Sequence, residues 1–187
     1  TSSTAPGMDR RRAAGEASTN VVPVVDGLYR AGLVTMTASL MGSSTTTASA
    51  PGRFGGVGTL EARVQGNWGG LGIWGMGITP DFEAQTGFVA RGDIMGMGLS
   101  GGLDFRPDWL PSWLRNIGPW VDAFALWGVS TLKFQEANIT FSPMWVQFAG
   151  GDEAWLWVEK SEQVLTDAFS PVERVEFAPG NYSYERM

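Results

Sequence analysis

Between Ile94 and Phe105 the side chains trade places at every residue. Met95, Met97, Leu99, Leu103 and Phe105 fall on one side, and Gly96, Gly98, Ser100, Gly102 and Asp104 on the other. A repeat of two belongs to an extended strand, because successive Cβ atoms in a strand point to opposite faces while a helix repeats every 3.6 residues. One side is greasy and the other nearly bare, so something must lie close against the bare side. The same alternation runs through Val34, Met36, Ala38 and Leu40, interleaved with Thr35, Thr37 and Ser39. It returns in Leu60, Ala62 and Val64, interleaved with Glu61, Arg63 and Gln65. These two segments read as a hairpin whose long Ser/Thr/Gly/Pro loop spans Ser43 to Gly56.

Further strands are expected at Trp68–Ile78, Trp120–Lys133, Glu136–Phe148, Glu153–Val164 and Tyr182–Met187. Turns are expected at Thr79-Pro80-Asp81 and at Gly150-Gly151-Asp152. The spacing of Trp109, Leu110, Trp113 and Leu114 after Pro107 predicts one short helical turn near residues 108–115, acting as a capping loop. The fold class that follows is all-β: a long antiparallel meander of about 7–8 strands, forming a small or incomplete β-barrel or a curved sheet. Residues 1–20, rich in Ser, Thr, Ala and Gly and carrying Arg10-Arg11-Arg12, read as a flexible tail, and 21–187 as the sheet domain. The chain opens at Thr1 with no signal-like segment, so a processed or fragmentary start is expected.

The residues that are missing exclude much chemistry. With no cysteine and no histidine, thiolate sites, disulfides and the commonest general base and metal ligand all drop out. A formal charge of −6 opposes phosphate neutralisation, so no nucleic-acid partner is expected. No apolar stretch reaches the length of a membrane-spanning helix, so any crossing of a membrane would use strands. Gly70–Gly75 and Gly96–Gly101 both match GxGxxG, yet more strand pattern follows each where a phosphate-binding loop needs a helix. Ser130 and Lys133 match SxxK in a period-two stretch that would send the two side chains to opposite faces. Asp81 with Glu83, and Asp152 with Glu153, sit in turns where carboxylates serve as solvated caps. No catalytic residue, metal ligand or cofactor is therefore assigned, and the chain is read as a non-enzyme.

Nine tryptophans against 17% charged residues are the most unusual feature of the composition. Trp68, Trp74, Trp109, Trp113, Trp120, Trp127, Trp145, Trp155 and Trp157 are the candidate interaction surface, through interfacial anchoring or partner packing, with an ordinary aromatic core as the competing reading.

The run from Thr79 to Asp93 resembles a segment of a large bacterial family, the domain-of-unknown-function 5916 family. The resemblance continues through Phe105-Arg106-Pro107, Arg115–Pro119, Phe148–Asp152 and Phe177–Tyr184, and covers residue 20 to the end. Members carry a carbohydrate-binding-like module before a carboxy-terminal, outer-membrane-type β-barrel region; this chain is similar to part of the latter, and the former is not expected within these residues. The resemblance implies a bacterial cell-envelope location, outer membrane or facing the periplasm, and offers no established catalytic residues to carry over.

The function expected is a non-catalytic structural subunit that packs aromatic and methionine-rich sheet faces against lipid or the subunits of a membrane-protein complex. An energy-converting inner-membrane complex, such as a photosynthetic one, is an expected partner of this kind for which no particular residue argues. An outer-membrane pore or transporter fragment, and a carbohydrate-binding β-protein, are the two alternatives.

Overall fold

The computed structural model describes residues 18–47, 50–84, 92–166, 168–172 and 175–187. The described chain is all strand and turn. In order the strands are β1 (Ser18–Val21), β2 (Val24–Ala31), β3 (Val34–Thr47), β4 (Ala50–Gly66), β5 (Gly69–Ile78) and β6 (Ile94–Leu103). They continue with β7 (Leu114–Trp127), β8 (Phe134–Phe148), β9 (Glu153–Leu165), β10 (Phe169–Val172), β11 (Val175–Phe177) and β12 (Gly180–Arg186). From β3 to β9 each strand pairs antiparallel with the next, and β12 returns to pair with β9. At the other end β1 and β2 both lie along β3, one beside Ser44–Thr47 and one beside Val34–Met41. They act as a single edge interrupted at Val22-Pro23, where proline has no N–H to give a ladder. A separate two-stranded sheet joins β10 and β11.

The ten-stranded sheet is larger than the seven or eight strands expected, and it is open: β12 does not pair with β1 or β2. Arg63 on β4 and Glu159 on β9, five strands apart, line the same hollow.

Two expectations are corrected. The segment Ser43–Gly56 is not a loop, because β3 runs on to Thr47 and β4 starts at Ala50, with Ser43 opposite Gly55 and Thr45 opposite Arg53. The hydroxyls that looked like loop composition have sheet-side partners: Asn20 Nδ2 donates to Thr45 Oγ1 (2.7 Å), and the Glu83 amide donates to Ser43 Oγ (3.0 Å). Nor is there a helical turn at 108–115. Leu110 N donates to Pro107 O and Leu114 N to Pro111 O, both at 2.9 Å, giving two separate turns in tandem. Pro111 supplies no N–H to continue a helix and disfavours helical geometry at Leu110.

Smaller differences lie at strand ends. Trp68 sits in the turn between Gly66 and Gly69, β7 begins at Leu114 and stops at Trp127, and Ser18–Asn20, assigned to the tail, belong to β1. Residues 1–17, with Arg10–Arg12, lie outside the described residues, as do Gln85–Arg91 of the run that carries the family resemblance. The Gly150-Gly151-Asp152 turn is as expected: Phe148 N donates to Asp152 O (2.9 Å), and Gly151 adopts φ +97°, a conformation that glycine takes without Cβ strain.

Candidate functional site

Residues paired directly across strands share a face, so the registers sort the side chains into two sets. One set contains Val25 and Tyr29 (β2), Met36 and Leu40 (β3), Leu60 and Ala62 (β4), Leu71 and Ile73 (β5), and Met97 and Leu99 (β6). Val121, Ala123 and Ala125 (β7), Ile139 and Phe141 (β8), and Leu156 and Val158 (β9) continue it. From β2 to β8 no charged side chain stands among the paired residues of this face; the first are Lys160 and Glu162 on β9, which pair with each other at 3.3 Å. Its large members are exposed, Ile73 at 55% and Met97 at 62%. We call it the apolar face.

The other set holds Asp26, Arg30, Glu61, Arg63, Asp122, Glu136, Glu153, Glu159 and Arg186, with many of the Ser and Thr residues. Here the side chains that disappear from solvent are polar. Ser43, Thr45, Ser142 and Ser161 are buried, Asn116 is 1% exposed, and Ile94 is the one buried apolar residue among those described. Among the described residues the fully buried side chains are thus mostly polar while many large apolar ones are exposed, the reverse of the usual bias in a water-soluble domain.

On this second face the bare side of β6 is filled from both neighbours. Register rows run Trp74–Gly98–Phe124, Met76–Gly96–Leu126 and Gly70–Gly102–Trp120. A Cβ on Gly98 would stand 2.6 Å from the Trp74 indole, and one on Gly96 would stand 2.3 Å from the Leu126 side chain. What lies close against the bare side is thus the aromatic and aliphatic side chains of β5 and β7.

Beyond these rows the same face opens into a hollow of about 990 Å³, lined by residues of β4 to β9. Its walls carry four indoles, Trp120, Trp145, Trp155 and Trp157, together with Arg63, Asp122, Glu153 and Glu159 and the hydroxyls of Ser100, Thr140 and Ser142. Trp145 is paired directly with Trp155 across β8 and β9. A polar chain ties the far wall together: Arg186 donates to Glu159 Oε1 (2.7 Å), which also accepts from Ser161 (3.1 Å), and Ser161 Oγ accepts from Asn138 Nδ2 (2.7 Å). Trp145 Nε1 and Gln147 Nε2 both donate to Glu153, at 3.3 and 3.2 Å.

The nine tryptophans do not form one surface. Trp74, Trp120, Trp145, Trp155 and Trp157 lie on the hollow face, Trp127 lies opposite Met95 on the apolar face, and Trp68, Trp109 and Trp113 occupy turns. Trp113 stacks on Phe148, with ring centroids 6.0 Å apart. Composition pointed to tryptophan but could not separate the faces, and the hollow is visible only once β7, β8 and β9 are in register.

Other motifs resolve as structure. Both GxGxxG runs lie within strands, β5 and β6, which pair with each other. Ser130 and Lys133 fall in the β7–β8 turn rather than in strand, and the Ser130 hydroxyl donates to Asp93 (2.8 Å), not to lysine. Among the described residues no cluster of three or more acidic side chains could hold a metal.

Comparison with family models, curated proteins and solved structures finds no match to this chain.

Proposed function

We propose that this chain is a non-catalytic, membrane-embedded wall, an open β-sheet whose apolar face lies against lipid and whose hollow face looks toward water. One observation carries the reading: among the described residues, a single-layer sheet leaves its apolar face uncovered from β2 to β8 while burying serine, threonine and asparagine. In water such a face demands a second layer, because stable domains bury their apolar faces between layers. In a bilayer it is already in its own solvent. Strands β3 to β9 run from 10 to 17 residues, and a tilted strand needs about 9–11 to cross the hydrocarbon core. Apolar-out, polar-in alternation is the pattern of transmembrane β-sheets.

The resemblance to an outer-membrane-type barrel region supports the same setting, a bacterial outer membrane. A membrane-complex subunit covering the apolar face is the competing occupant. A pore has less support, since among the described residues the two outer strands of the sheet do not pair with each other.

Because the chain has no cysteine, single probes can be placed on either face. The expected result for Ile73→Cys and Thr37→Cys, each carrying an environment-sensitive fluorophore in refolded vesicles, is that brominated lipid quenches the first and aqueous iodide the second. Equal quenching of both by iodide, or full folding in lipid-free buffer as an oligomer that hides Ile73, would overturn the proposal.

A further inference from the structure

We infer that the hollow is a binding site for a neutral, linear oligosaccharide. The residues that line the hollow carry this assignment, which goes beyond the membrane reading of the opposite face.

The four indoles stand on three adjacent strands. Trp155 and Trp157 are two residues apart on β9, about 7 Å along the strand, and Trp145 lies directly across from Trp155. Trp120 extends the series to β7 beside Gly102, where the missing side chain leaves room for its ring. Trp120 and Trp155 remain 40% and 59% exposed although they line a hollow and not a convex surface. Aromatic side chains that line a hollow and stay partly open to solvent suit a ligand that is itself flat and apolar on two sides and polar at its rim. A pyranose ring is such an object: its C–H faces stack on indole and its hydroxyls seek donors and acceptors at the edge.

The charges select against other ligands. Glu153, Glu159, Asp104 and Asp122 face the hollow against one cation, Arg63, so phosphate-bearing and sulfated ligands are disfavoured. Arg63 is paired with Glu61 at 3.3 Å. Three of the four carboxylates already accept from protein donors: Glu153 from Trp145 and Gln147, Glu159 from Arg186 and Ser161, and Asp104 from Arg106 and Asn116. A site built for a cation would hold its carboxylates ready for the ligand. What stands open is Asp122, without a protein partner among the described residues, directly opposite Ser100 on one side and Thr140 on the other. An acceptor flanked by two hydroxyls is suited to sugar hydroxyl groups.

The test uses the full chain refolded in lipid vesicles, titrated with maltohexaose, cellohexaose and N-acetylchitohexaose, with saturation-transfer NMR and intrinsic fluorescence as readouts. At least one sugar should bind saturably. Trp155→Ala should weaken that binding roughly tenfold, the loss of one stacking platform, and Trp155→Tyr should restore most of it. Trp127→Ala, on the other face, should leave it unchanged. No saturable binding of any of the three, binding of tetramethylammonium instead, or equal loss from Trp127→Ala and Trp155→Ala would overturn the proposal. The quenching experiment at Ile73 and Thr37 reads the lipid face independently, so failure of one proposal is distinguishable from failure of the other.

Discussion

The two faces of this sheet are made by the same strands, residue by residue, yet they obey opposite rules. On the apolar face Leu40, Leu60, Ile73, Met97, Ile139 and Leu156 stand exposed. On the hollow face Ser43, Thr45, Ser142, Ser161 and Asn116 are sealed away. A period-two chain gives each strand one vote for both faces, so a single strand shows only that the faces differ. The summed registers show how apolar and polar side chains divide between the two faces. An apolar face with no second layer is stable where the surroundings are themselves apolar, and a face of paired polar groups is stable where sheet neighbours and water satisfy them.

The comparison breaks first if charge can be moved across it. Ile73→Arg puts a guanidinium at the middle of β5 on the apolar face, where arginine near a bilayer midplane costs about 2–4 kcal/mol. Thr37→Arg puts the same group on the hollow face, opposite Glu61. Urea titration of vesicle-inserted protein should show the full loss for the first and under about 1 kcal/mol for the second. Comparable losses would mean that the two faces see the same medium.

Glycine sharpens the contrast at a smaller scale. A Cβ at Gly77, on the apolar face, meets nothing within 4 Å, whereas one at Gly98 meets the Trp74 indole at 2.6 Å and Ala123 O at 2.7 Å. Gly98→Val should therefore cost about 1–3 kcal/mol by overpacking, and Gly77→Val should be near neutral or stabilising. The check is the same unfolding titration.

Much of this was legible in the sequence. The alternation at Ile94–Leu103 marks β6, states which side is apolar and demands a close neighbour on the other side. It does not say that the neighbours are Trp74, Phe124 and Leu126, because cross-strand register is set by pairing partners 24 to 30 residues away in sequence. Ser43–Thr47 shows the opposite failure. Hydroxyl-rich composition reads as loop where polar residues are assumed to face water, but here Asn20 and the Glu83 amide satisfy those hydroxyls within the fold. The two turns at 107–114 follow from Pro111, which has no N–H to continue a helix, whereas the aromatic spacing alone fits one helical turn. The tryptophans were visible as a count, and their division into five on the hollow face, one on the apolar face and three in turns is a property of register alone.

The smallest effect tests whether the hollow face is wet. Arg186 and Glu159 meet at 2.7 Å across β12 and β9, the arginine side chain 58% exposed and the carboxylate 14%. If that face looks to water, the pair is partly screened, and Arg186→Gln should cost only about 0.2–1 kcal/mol, most of it vanishing as ionic strength rises. If the hollow were instead packed against a protein or lipid layer, the same substitution would strand a desolvated Glu159, cost about 3–5 kcal/mol and respond little to salt. Measuring the loss at low and high salt thus assigns water or a dry contact to the hollow face without reference to the apolar one, and a large salt-insensitive loss would remove the asymmetry on which the membrane reading depends.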